Sequence, residues 1–166
     1  MDTATILKEL LPAYALPVRG THGVTHWARV LENGLRIADA TTADIQVVTL
    51  FALFHDCCRV NEGRDPGHGL RGAKRARSLR GLLQGLSHAQ LDLLYEACRL
   101  HTDGLTAGDP TLQACWDADR LDLARVNIWP DPQRLCTAAA RDLLAWANQR
   151  ATAHYEPELV AQVWGV

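Results

Sequence analysis

An all-α fold is predicted by three observations. Apolar residues recur at three- and four-residue steps through most of the chain, the period of amphipathic helices. Clusters of Gly, Pro, Asn and Asp punctuate those segments at spacings that suit connections between helices. One run, Val47-Val48-Thr49-Leu50-Phe51-Ala52-Leu53-Phe54, reads as a strand by propensity, but no second strand is available to pair its backbone groups. It is therefore assigned to a buried helix.

Taken in order, a terminal helix is expected over about residues 3–11. The next covers Val24 to Ala38, where Val24, Trp27, Val30, Leu31, Leu35, Ile37 and Ala38 form the apolar stripe and Thr21 can serve as N-cap. A helix from about Thr42 to Asp56 starts at Thr42 or Asp44. The polar stretch Arg59 to Gly67 is a loop. Helices over about His68 to Leu83, Ser87 to Leu100 (capped by Ser87) and Thr111 to Val126 follow, the last preceded by the turn formers Asp103-Gly104 and Gly108-Asp109-Pro110. Ile128-Trp129-Pro130-Asp131-Pro132 breaks the pattern, and the closing helices fall within about 132–164.

With 166 residues, 48% hydrophobic and 22% charged, the chain is expected to fold as one compact domain over 1–166, burying roughly 70% of its unfolded surface. A formal charge of −2 argues against a general nucleic-acid or membrane-surface binder, which carries a strong basic excess. No apolar run is long enough to span a bilayer, and Met1-Asp2-Thr3-Ala4 lacks the pattern of a secretory signal, so a cytoplasmic protein is expected. The five cysteines (57, 58, 98, 115 and 136) are odd in number and widely spread, and they read as reduced, mostly buried thiols. With no Cys-x-x-Cys pair, a thiolate zinc knuckle is not expected. The glycine-rich loop and lysine of a phosphate-cradling NTPase are missing too.

Chemistry enters at His55-Asp56. The dipeptide alone says little in a chain with seven histidines, but it closes a strongly apolar helix, where an imidazole and a carboxylate need partners. A divalent metal would satisfy both; the purely structural alternative is a histidine favoured by the helix C-terminus with Asp56 capping the next turn. His26 lies one turn into the first amphipathic helix, and Asp119 lies in Cys115-Trp116-Asp117-Ala118-Asp119-Arg120-Leu121-Asp122, where acids alternate with apolar residues. Asp119 and Asp122 share a helix face and Asp117 projects away from Asp119. Two histidines and two aspartates make a mixed nitrogen and oxygen set suited to Mn, Fe, Zn, Co or Ni rather than Ca or Mg. For Asp122, pairing with Arg120, Arg125 or Arg99 is the favoured expectation.

The ordered set His26, His55-Asp56 and Asp119 on helices resembles the HD-domain metal-dependent phosphohydrolases, and Asp117-Ala118-Asp119-Arg120-Leu121-Asp122 is similar to the final motif of small bacterial members. The resemblance spans about residues 21–126. It implies that His26, His55, Asp56 and Asp119 hold one divalent cation at the centre of a helical bundle. Some branches of the family carry two further histidines in this interval that bind a second metal or contact phosphate, and His68 and His101 fall there, with backbone-bonding roles at helix ends as the alternative. Arg59 stands where nucleotidases of the family have a glutamate and their triphosphohydrolase relatives a histidine; an arginine cannot act as acid or base near neutral pH and suits a phosphate clamp instead.

The expected activity is metal-assisted hydrolysis of a small phosphomonoester or nucleotide. Asp56, Asp119 or Asp117 would position or deprotonate the water, and Arg59, Arg120, His22, His101 and Arg71 would contact the substrate. Two alternatives are kept open: a dinuclear-iron oxygenase of the HD type, if His68 and His101 both ligate, and a helical sensor with a structural metal. His88 and His154 read as surface residues, and the arginines between Arg71 and Arg80 as a solvated face. Substrate identity, oligomeric state and regulation are not encoded in any motif.

Overall fold

The computed structural model describes residues 2–166 and is all-helical, without a strand among the described residues. Seven α-helices carry the architecture: α1 (Thr3–Leu10), α2 (Val24–Asp39), α3 (Ile45–Phe54), α4 (His68–Ser78), α5 (His88–Leu100), α6 (Pro110–Arg120) and α7 (Ala138–Thr152). Short 3₁₀ turns follow several of them, and Val160–Trp164 forms a π-helical turn at the end. Helix α3 is apolar but for Gln46 and Thr49, and Val47, Val48, Leu50, Phe51, Ala52, Leu53 and Phe54 are all buried, which settles the strand-like run as a core helix. Helices α2, α5 and α6 pack around α3, α4 lies against α5, and α7 closes over α2. The result is that the C-terminus of the most buried helix, His55-Asp56, ends inside the protein.

Helix starts follow the capping chemistry of their sequences. Asp2, Asp44, Asp109 and Thr137 each accept backbone N–H groups of the first turn, and Ser87 forms a reciprocal capping box with Gln90. Helix α2 departs from the expectation, since Gly23 rather than Thr21 is its N-cap. Leu35, assigned above to the apolar stripe of α2, is exposed. Gly34 takes the inner position on α2, where an added Cβ would meet Val48 at 2.6 Å.

The ends of three helices differ from the periodicity for local reasons. Helix α4 stops at Ser78, where Leu79 leaves helical geometry and the Ser78 hydroxyl donates to the Arg75 carbonyl. Helix α6 stops at Arg120, and Asp122 leaves helical geometry with its carboxylate bound to α2. Helix α7 begins only at Ala138, because the Asp117 carboxylate accepts the N–H groups of Cys136 and Thr137 and fixes the preceding segment. The five cysteines are free thiols, three of them buried. No described helix is long and apolar enough to cross a membrane.

Candidate metal centre

Four histidines reach the interior from four different places: His26 in the first turn of α2, His55 at the end of α3, His68 at the start of α4 and His101 at the end of α5. All four are buried. Each is oriented through Nδ1. The His55 Nδ1–H donates to the Phe51 and Ala52 carbonyls, each at 3.1 Å, the His68 Nδ1–H to the Asp65 carbonyl at 2.5 Å, and the His101 Nδ1–H to the Cys98 carbonyl at 2.7 Å. A carbonyl oxygen can only accept, so the proton sits on Nδ1. For His26 the acceptor is the Asp122 carboxylate at 2.7 Å. Burial works against the charge on Asp122, but hydrogen bonds from His26 and Arg29 hold its carboxyl below the usual range.

With the Nδ1 proton so engaged, each ring in its neutral form carries its lone pair on Nε2, and the Nε2 atoms face each other in pairs. His26 Nε2 lies 3.0 Å from His55 Nε2, and His68 Nε2 lies 2.9 Å from His101 Nε2. Two acceptors at that separation repel unless a cation lies between them. Burial pushes the His55 imidazole down to about 3, so the ring stays neutral and available as a ligand.

Asp56 joins the two pairs. Its Oδ2 is 3.6 Å from His26 Nε2 and 3.7 Å from His55 Nε2, while its Oδ1 is 3.1 Å from His68 Nε2 and 3.8 Å from His101 Nε2. Asp119 Oδ1 approaches the first pair at 3.4 and 3.8 Å. Ligand atoms held roughly 2.1 Å from one transition-metal ion stand about 3.0 to 3.4 Å apart in octahedral or tetrahedral geometry, close to the separations of both clusters. Asp56 Oδ1 is buried without a hydrogen-bond partner, an orphaned carboxylate oxygen aimed at two imidazole lone pairs. The residues present therefore fit a divalent metal: His26, His55 and Asp56 around one position, with Asp119 Oδ1 beside the two imidazoles, and Asp56, His68 and His101 around a second.

The other residues singled out from the sequence divide. Arg59 lies at the second cluster, its Nη1 3.6 Å from Asp56 Oδ1, and with His68 it lines a cavity of about 370 Å³ together with Gly63, Arg64, Asp65, Pro66 and Thr102. His22 stands next to His26, with ring centroids 6.2 Å apart, and its Nδ1 meets the Glu62 carboxylate at 2.5 Å. Burial lowers the His22 imidazole, with Glu62 opposing that shift. Three expectations are corrected. The Asp117 carboxylate is consumed by Cys136 N–H, Thr137 N–H and the Thr137 hydroxyl, so it cannot serve the centre. Arg120 donates to the Leu105 and Arg134 carbonyls and lines a separate cleft of about 430 Å³ with Trp129 and Leu135. Arg71 is held by Asp65 and the Cys58 carbonyl, where it braces the loop beneath His68.

Sequence reasoning missed two contributors. Asp122 does pair with Arg125, but its main partners are His26 and the buried Arg29, whose Nε and Nη2 donate to it at 2.7 and 3.0 Å. The signal was Arg29 itself, an arginine on the inward face of α2 one turn after His26, which burial obliges to find an anion. Phe51 stacks on His55 with ring centroids 4.9 Å apart, fixing the imidazole plane.

No protein-family model and no curated protein matches the chain. Among solved structures, it is similar to the crystal structure of a predicted HD superfamily hydrolase from an uncultured Thermotogales bacterium, at 27% identity over 90% of this chain and 85% of that one, with a TM-score of 0.66. This likeness, together with the converging histidines and aspartates, supports the resemblance to HD-domain proteins carried by the sequence.

Proposed function

We propose that the chain is a metal-dependent phosphohydrolase acting on a small phosphomonoester or nucleotide. One observation carries this reading: four buried imidazoles, each with its Nδ1 engaged by a carbonyl or carboxylate, turn their Nε2 atoms toward one another and toward the carboxylates of Asp56 and Asp119. Such a set is a cation site, and the structural likeness to a predicted hydrolase supports putting that cation to hydrolytic use. A divalent transition ion (Mn, Fe, Zn, Co or Ni) bound there supplies charge neutralisation at a phosphoryl oxygen and a more acidic water.

The chain's own groups then have distinct tasks. His26, His55, Asp56 and Asp119 hold the ion. The Asp119 side chain, 18% exposed, is the most open of the four, so its second oxygen can take a proton from the attacking water. The Arg59 guanidinium binds the phosphate at the wall of the adjoining cavity, whose volume suits a small ester rather than a polymer. His22, braced by Glu62, and His101 complete the contacts to substrate. No nucleic-acid or membrane partner is part of this reading, and the free thiols support a cytoplasmic location.

A second reading has its own support, since Asp56, His68 and His101 form a further donor cluster, as a dinuclear-iron oxygenase would require. Metal analysis of the purified protein, followed by a phosphoester panel with Mn, Co or Ni added, separates the two. Phosphate release by metal-loaded protein is expected. A loaded protein silent across the panel overturns the phosphohydrolase reading in favour of a structural metal, and two irons with oxygen consumption would favour the oxygenase.

A further inference from the structure

We propose that the Arg59 guanidinium is a built-in cation that keeps the second donor cluster, Asp56 Oδ1 with His68 and His101, at low metal affinity, so that the centre fills its first position tightly and its second weakly. This rests on the metal-centre reading above. Arg59 follows Asp56 by one turn, and its backbone N–H donates to the Asp56 carbonyl. Only 7% of the residue is exposed. Its Nη1 lies 3.6 Å from Asp56 Oδ1 and is nearly equidistant from the two ring nitrogens of His68, at 3.4 and 3.3 Å.

The group cannot easily swing away. Nη2 donates to the Gly63 carbonyl at 2.6 Å and Nε to the Asn61 carbonyl at 3.4 Å, so the loop that follows the His-Asp pair grips the fork from behind. Arginine keeps its charge at every accessible pH. An ion bound roughly 2.1 Å from His68 Nε2 can lie no farther than about 5.4 Å from Nη1, the sum of 2.1 and the observed 3.3. Unit charges that close, screened only by protein, repel strongly.

The first cluster is spared. It uses the other oxygen of Asp56 and adds Asp119, with which no guanidinium pairs among the described residues, while the closest approach of Arg59 to Asp56 is at Oδ1. The two clusters are thus alike in donors but unlike in field. One faces carboxylates alone, and the other shares its carboxylate oxygen with a fixed positive charge. A substrate anion reverses the effect, because its negative charge can rest on Arg59 and a metal in the first position together. The same asymmetry weighs against the two-iron alternative, which needs both positions filled.

The test is a Mn²⁺ titration of the metal-stripped full chain by calorimetry, with electron paramagnetic resonance to separate isolated ions from coupled pairs. The native protein is expected to bind one Mn²⁺ at least about tenfold more tightly than the second. Arg59→Gln should strengthen the second step by about tenfold or more and leave the first unchanged, giving coupled pairs at lower Mn²⁺. Arg59→Lys loses the same fork contacts yet keeps the charge, and should retain the native ratio. Equal filling of both positions in the native protein, an unchanged ratio in Arg59→Gln, or a lysine variant that behaves as the glutamine one overturns the proposal. Absence of any Mn²⁺ binding by the native protein would instead overturn the metal centre itself.

Discussion

Two imidazole nitrogens facing each other at hydrogen-bond distance need one proton between them, and in both histidine pairs the protons are committed elsewhere, to carbonyls and to Asp122. Removing one donor should therefore remove the ion and leave the fold. His55→Ala or Asp119→Ala is expected to abolish bound metal and turnover while the helical circular-dichroism signal persists; full metal content in either variant contradicts the ligand set. Asp122→Asn probes the layer behind. It leaves Arg29 buried without its counter-charge, a loss expected to cost about 3–5 kcal/mol, and it weakens the acceptor that orients His26, lowering metal affinity by about 10- to 100-fold. Thermal melts and metal titration read the two effects, and a variant with native affinity would return Asp122 to a purely structural role. The sequence made His26, His55-Asp56 and Asp119 legible because they are polar residues of ligand type in apolar helical settings. Asp122 was not, because Arg29 lies 93 residues away and no periodicity links them.

At the scale of elements, the positions of helices were legible and several of their ends were not. Periodicity places the bodies of α2 to α6, since burial of one face acts over many residues. Ends are set by single distant contacts, such as Asp117 reaching across to hold the start of α7, which sequence spacing cannot express. One element is placed by an absent side chain. Helix α4 delivers His68 to the centre, and it can approach only because Gly72 lacks a Cβ, which would sit 2.1 Å from the Phe54 carbonyl. Gly69 is alike, 2.4 Å from the Cys98 carbonyl and 3.0 Å from the His101 ring. Gly72→Ala is accordingly expected to push α4 outward, costing about 1–3 kcal/mol, and to separate His68 from His101. The check is a melt combined with the second step of a Mn²⁺ titration. Native stability together with a native second step would show that α4 has room to spare.

For the whole molecule, the centre is both the functional locus and an uncompensated cost. Donors from five helices meet in the interior next to an otherwise apolar core, with two pairs of lone pairs opposed and one carboxylate oxygen unpaired. A ligand that binds only this arrangement must stabilise it. At about 100 times its dissociation constant, a metal adds about 2.7 kcal/mol, which for a domain of this size is a rise of roughly 5–10 °C in Tm. Chelation should reverse the rise without unfolding the protein, because the apolar helices keep their own core. The sign of the pH dependence follows from the ligands. Metal needs neutral imidazoles, so protons compete: burial lowers His55 to about 3 and keeps it neutral, whereas at His101 burial is outweighed by the hydrogen bond to Asp56 and the imidazole is raised, so the metal-dependent increment in Tm should be full near about pH 8 and shrink as protons take His101 on acidification. Melting curves with and without Mn²⁺ across that interval measure the increment directly. An increment that stays constant down to about pH 5 would mean that the ion is held without His101, on ligands such as His55 that stay unprotonated there.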